Sequence, residues 1–280
     1  MKRSTGTNIE KYQHPILFYG LSMGLPWSLW FIAGYISHIT PSTHSLKTIV
    51  SVLGLMGLIS PLIIALCMIV PNAELRRDFI NRVFNFKTVK PVYIFLTCFL
   101  MLASILLAQA ISLLFGYSID QFSLSQGLSF SAGVLPAWLL LLLAPALEEL
   151  AWHSYGTDCL RARFNLFVSS MIFALFWAFW HMPLGSIKDY YQSNLVESGL
   201  LHSLNFLLSI FPFVLLMNWL YYKSNRNVLI TIVFHVTAGV FNEIFCTHPD
   251  TKVIQTLLLT VLAIIIVLKE HKFFFEKEYY

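Results

Sequence analysis

Two adjacent glutamates, Glu148 and Glu149, stand inside an otherwise apolar run, and a histidine, His153, follows the second by four residues. Of the 14 acidic residues in the chain, only these two and Glu243 fall inside apolar runs. An ionisable group at mid-membrane costs about 2.5–3.5 kcal/mol to insert, which makes each a functional candidate. Successive helical residues lie about 100° apart, so the two carboxyls serve different faces. Glu149 and His153, at i and i+4, can pair along one face. Glu148 shares its face with Trp152, whose indole keeps water from the carboxyl, a setting that suits a general base. On this reading Glu148 does the chemistry, and Glu149 with His153 supports it.

Two further histidines fit the same chemistry. His181 ends an apolar run, four residues after Trp177 and just before Met182 and Pro183. His235 lies seven residues into another run, with Asn242 on the same face and Gly239 between them leaving room for a substrate. A carboxylate that takes a proton from water, with imidazoles to orient it or stabilise an oxyanion, is sufficient for hydrolysis. The same three side chains, Glu148, His181 and His235, could instead hold Zn²⁺ with an open water position. Side-chain type leaves both mechanisms open. Glu243 and His202 read as buried polar groups that pair with neighbouring helices, outside the site. Cys67, Cys98, Cys159 and Cys246 show no CxxC spacing and read as small buried hydrophobes.

These residues need elements that hold them in lipid. The chain has 280 residues, 57% hydrophobic and only 11% charged. Soluble chains carry about 25% charged residues, so a soluble domain, a disordered protein and a nucleic-acid binder are all excluded. At roughly 20 residues per crossing, the apolar runs predict an all-α polytopic membrane helix bundle of about eight transmembrane helices. They are Pro15–Ile36, Thr48–Val70, Val92–Phe115, Val134–Tyr155, Phe164–Met182, Leu200–Tyr222, Val228–Thr247 and Val253–Leu268. The first is too long for a signal-peptide core and no cleavage site follows it. The segments that alternate with the N-terminus hold 15 Lys and Arg, against Lys47, Lys188 and Lys252 in the others. That bias predicts an integral membrane protein, of the plasma (inner) membrane, with both termini cytoplasmic. In Pro71–Pro91, Phe79, Val83 and Phe86 alternate with Arg76, Arg77 and Arg82. This fits either an interfacial helix or an ordinary basic loop. Residues 1–133 form an N-terminal part of three helices with a tail, 134–247 the core, and 248–280 the last helix and tail.

Three blocks in the core carry a resemblance: Glu148-Glu149-Leu150-Ala151-Trp152-His153, Trp177-Ala178-Phe179-Trp180-His181 and His235-Val236-Thr237-Ala238-Gly239. In order and spacing the chain resembles the CPBP family, the CAAX-processing and bacteriocin-processing intramembrane proteases also called Abi. Its motifs read EExxxR, FxxxH and HxxxN or HxxxD. His153 stands for the arginine, Trp177 for the phenylalanine, and Gly239 for the Asn or Asp. Asn242 is a substitute for that last group, about 10 Å of helix rise from His235. The resemblance implies an intramembrane endopeptidase that hydrolyses a peptide bond near a membrane-anchored segment of a peptide or protein substrate. Glu148 is then the catalytic glutamate and Glu149 its orienting neighbour. His181 helps activate water, and His235 stabilises the oxyanion or, in a zinc enzyme, ligates the metal. His153, Trp177 and Asn242 support them. The alternative is an inactive scaffold or bacteriocin-immunity-type protein that keeps the same polar cluster. Counted from the cytoplasmic edge, Glu148 and His235 lie roughly 10 Å deep but His181 about 25 Å; the motif order predicts that they meet nonetheless.

Overall fold

A chain segment in lipid must satisfy its backbone N–H and C=O groups internally, and a helix is the form in which one segment does so alone. The long Leu-, Ile- and Phe-rich runs fold accordingly. In the computed structural model, residues 8–85, 89–131 and 134–277 are described. Among them the helices are α1 (Pro15–Ser37), α2 (His44–Ile69), α3 (Ala73–Phe84), α4 (Pro91–Ser112), α5 (Ala137–Ala151), α6 (Thr157–Arg161), α7 (Leu166–His181), α8 (Tyr191–Ser198), α9 (Leu200–Lys223), α10 (Val228–Glu243), α11 (Pro249–Lys269) and α12 (His271–Phe275). Six are long and apolar enough to cross a membrane, and α10 is apolar but shorter. The remaining crossing is α5 and α6, joined without a break by a π-helical turn, Trp152–Gly156.

The crossings alternate in direction, so the connections gather at two ends. At one end, Ser131 N–H donates to Asp189 O (2.9 Å), Ser125 N–H to Ile244 O (2.8 Å) and Cys246 N–H to Ser123 O (3.0 Å). At the other, Asn227 Nδ2 donates to Asn85 O (2.7 Å), Arg163 Nη1 to Tyr12 O (3.4 Å) and Arg161 Nη2 to Lys277 O (3.1 Å). Tyr12 and Lys277, close to the first and last described residues, therefore lie at the second end. Asn165 and Asn227 start α7 and α10 by accepting the exposed backbone N–H groups of their first turns.

Close packing joins α1 to α2. Trp30 Nε1 donates to Gly54 O at 3.0 Å, and a Cβ on Gly57 would collide with the same indole. Of the two readings of Pro71–Pro91, a helix forms, α3, with Phe79 and Val83 against the core. Phe86, Lys2, Arg3 and Lys87 lie outside the described residues. Unlike Arg76 and Arg77, Arg82 turns inward, with only 4% of its surface exposed. A buried acid and uncovered carbonyls recruit it.

The depth count is corrected. The fourth crossing does not stop at Tyr155 but runs through the π turn to Arg161. This puts Glu148 about 20 Å from that end, near the roughly 22 Å of His181 in α7. α10 starts from Arg226 and Asn227, both buried, rather than from the surface, which carries His235 deeper than its count along the helix. The three side chains therefore approach one level.

Candidate active site

Glu148 sits three residues after Pro145, in the last turns of α5. Its side chain is nearly buried, and Oε2 accepts Trp177 Nε1–H from α7 at 2.9 Å. Trp152, fully buried, packs edge-on to Phe176 and Trp180, so the apolar wall expected beside Glu148 is present. Its neighbour Glu149 is completely buried and faces elsewhere, as a 100° step about the axis requires.

Both oxygens of Glu149 are occupied. Oε1 meets His235 Nδ1 at 2.9 Å, and Oε2 meets His153 Nδ1. His153 Nε2 in turn meets Asn218 Oδ1 at 2.9 Å, and Asn218 Nδ2 donates to Ser170 Oγ at 2.8 Å. Ser170 spends its hydroxyl proton on Leu166 O (2.8 Å), so it can only accept from Asn218. That fixes the amide, and Asn218 Oδ1 must then accept from His153 Nε2–H. His153 thus joins the Glu149 carboxylate to the Asn218 amide, standing where the motif has arginine. Sequence reasoning missed Asn218 and Ser170; the signal was an asparagine within the apolar run Phe213–Tyr222.

His181 Nδ1 lies 2.7 Å from Trp177 O. A carbonyl only accepts, so Nδ1 holds the proton and Nε2 is left free. Trp177 is the hub: its ring lies 5.5 Å from that of His181, 5.1 Å from His235 and 5.6 Å from Phe173. Glu148, Trp177, His181, His235, Gly239 and Asn242 all line one cavity of about 560 Å³. It extends to Ser129–Ser131 and to Tyr190–Ser198 at the end away from the termini. No lining residue comes from 149–176 or 214–234, so the opposite end is closed.

The other expected residues divide. Asn242 lines the cavity, but its Nδ2 donates to Tyr191 Oη at 3.0 Å. Gly239 faces Leu141, whose Cδ1 would stand 3.2 Å from an added Cβ. His202 pairs with Asp250 on α11 at 3.0 Å, the neighbouring-helix contact expected of it. Glu243 accepts Ser129 N–H at 2.9 Å and also lines the cavity, although sequence reasoning set it apart from the site.

Beneath the closed end lies a cluster that the sequence did not reveal. A π turn displaces carbonyls from regular helical bonding. Arg82 Nη1 donates to His153 O and Nη2 to Ser154 O, each at 2.8 Å, and Tyr221 Oη donates to His153 O at 2.8 Å. The same guanidinium reaches Asp158 Oδ2 at 2.8 Å, and Asp158, fully buried, is also bound by Arg226 and Tyr222. Burial pushes the Tyr12 hydroxyl well above its ordinary pKa, so it keeps its proton and donates to Asp78 at 2.7 Å. Asp158, three residues past the apolar run that carries the glutamates, is the centre of this network.

A metal would need its donors gathered about one point. Among the described residues, no group of three His, Cys, Asp or Glu side chains stands close enough to hold an ion. Glu148, His181 and His235 are arranged about the cavity without forming such a cage, and no step below runs through a metal.

A chamber enclosed by apolar helices, with a carboxylate and two imidazoles at its inner end, has the makings of an intramembrane hydrolase. Residues 130–241 match the family described as type II CAAX prenyl endopeptidase Rce1-like. The CAAX prenyl protease 2 of Methanococcus maripaludis is 38% identical over 272 residues, which cover 96% of this chain and 99% of that protein. The chain belongs to these CAAX prenyl endopeptidases of the CPBP family. It is an integral membrane endopeptidase, and the inactive-scaffold alternative is not favoured.

Proposed function

We propose that this enzyme hydrolyses a peptide bond near the membrane anchor of a prenylated protein, using water activated by Glu148. The observation that carries the reading is the shared cavity into which Glu148, His181 and His235 all project. Glu148 takes a proton from water while the oxygen attacks the scissile carbonyl. His181 Nε2, its lone pair free, accepts the second hydrogen bond of that water and orients it. His235, carrying a proton on Nε2, donates to the developing oxyanion, with Glu149 behind its Nδ1–H balancing the charge. Glu148 then passes its proton to the leaving amine, and the carbonyl re-forms.

Trp177 keeps the Glu148 carboxyl aimed into the cavity. Glu149 serves as an anchor, since neither of its oxygens is free for water. The excess of Lys and Arg in the segments that alternate with the N-terminus supports a reading with both termini cytoplasmic, and we set the enzyme in the plasma membrane. The test compares purified wild type with Glu148→Gln and Glu148→Ala on a prenylated peptide in vesicles. A positioned general base contributes about 10²- to 10⁴-fold, so both variants should lose at least that much turnover. Equal turnover would end the assignment. The zinc reading, with Glu148, His181 and His235 as ligands, is checked in the same preparation. EDTA should leave the rate unchanged, and a loss restored by zinc alone would reassign the three residues to a metal.

A further inference from the structure

The cavity holds a cation that the hydrolytic scheme does not use. Lys252 lines it from the first turn of α11. Among the described residues no carboxylate stands within ion-pair distance of its ammonium; its nearest recorded partner is the Tyr191 ring, 5.9 Å away. The acids around it are directed elsewhere. Glu243 Oε2 accepts Ser129 N–H while its Oε1 is buried without a hydrogen-bond partner, and the Asp250 carboxylate takes Tyr117 Oη–H at 2.6 Å and the His202 ring at 3.0 Å. Nor does its own helix favour it, because a cation in the first turn opposes the helix dipole. A half-buried lysine in a cavity within the membrane, lacking an acid and set against its helix, is placed to meet an anion brought in from outside.

Its position along the cavity indicates which anion. From His235 to Asn242 α10 rises about 10 Å. Asn242 is hydrogen-bonded to Tyr191, the residue beneath the Lys252 ammonium. Asn242 therefore stands about one extended tripeptide, roughly 10 Å, beyond the inner end of the cavity, with the ammonium across the Tyr191 ring from it. A CAAX terminus places three residues between its modified cysteine and the end of the chain. We propose that Lys252 binds the C-terminal carboxylate of the substrate, so that it measures the distance from chain end to scissile bond and selects for a free terminus. This rests on the peptidase reading above and adds the substrate group that sets the register.

The experiment uses the full chain in zwitterionic phosphatidylcholine vesicles, with one prenylated CAAX peptide supplied as the free acid and as the C-terminal amide. Ion-paired hydrogen bonds are strong enough that wild type should favour the acid in kcat/KM by about tenfold or more. Lys252→Met should bring that preference down to about one, and Lys252→Arg should restore most of it, with thermal midpoints of both variants matching wild type. Equal cleavage of acid and amide by wild type would overturn the proposal, as would a preference that survives in Lys252→Met. Cleavage of neither peptide by wild type would instead strike the prenyl-peptidase reading, and the proposal would fall with it. Using one uncharged lipid throughout separates a peptide carboxylate from an anionic headgroup as the ligand.

Discussion

Glu149 holds His235 by its Nδ1 at 2.9 Å, which turns the other nitrogen of that ring toward the cavity. The second oxygen of the same carboxylate binds His153. One buried acid thereby fixes a histidine of the chamber and receives compensation from a second histidine that never reaches it. The two successive glutamates differ in role because one is saturated with partners and the other is not.

The pairing of Glu149 with His153 can be tested by exchange. His153→Arg restores the motif residue opposite Glu149 and should retain activity, whereas His153→Ala should leave one Glu149 oxygen without its partner. Leaving a buried charged group unpaired costs about 3–5 kcal/mol, so a marked drop in thermal midpoint is expected for Ala alone. An Ala variant as stable as wild type would refute the pairing.

Trp177→Phe restores the residue type of the family motif while removing the N–H that Glu148 accepts. Losing a donor to a buried carboxylate costs about 1.5–3 kcal/mol. We expect kcat to fall by about 10- to 100-fold with KM little changed, since the ring and the cavity wall remain. An unaltered kcat would show that Glu148 is aimed by other contacts.

Arg82 lies on α3, outside every motif, yet bonds two carbonyls of the turn that follows the glutamates. Arg82→Met should destabilise the protein by about 3–5 kcal/mol, because Asp158 loses a buried counter-charge. Thermal unfolding in detergent measures it. Arg82→Lys should rescue only part of the loss, since a single ammonium cannot reproduce the fork.

The cationic excess and the open end of the cavity lie at opposite ends of the bundle. Three of the 15 basic residues, Arg82, Arg161 and Arg226, prove to be buried, but the bias survives their removal. Reporter fusions at both termini should therefore read cytoplasmic, and peptide added to sealed vesicles should be cut only from the face away from the termini. Fusions that report the exterior would invert the assignment and turn the open end to the cytoplasm.

Much of this was legible in the sequence. Hydropathy dictated the helices because lipid leaves no alternative for the backbone, and the spacing of Glu149 and His153 dictated their pairing. What escaped were contacts between distant segments. Nothing local announces that Arg82 turns inward, for in sequence it resembles Arg76 and Arg77, both exposed. The π turn likewise has no periodicity to reveal it, and it moved the end of a crossing by six residues. Asn218 was visible as an anomaly, but its partner could be found only once α9 lay against α7.

The chamber is blind at the end where Arg82 and Asp158 plug it, and this constrains traffic. With the inner end closed, both fragments must depart toward the end away from the π turn, where the intact chain entered. A short severed tail lies between the scission point and the exit, and it has to leave first. Sustained turnover then depends on how quickly that tail clears, and accumulated tail peptide should compete with fresh substrate.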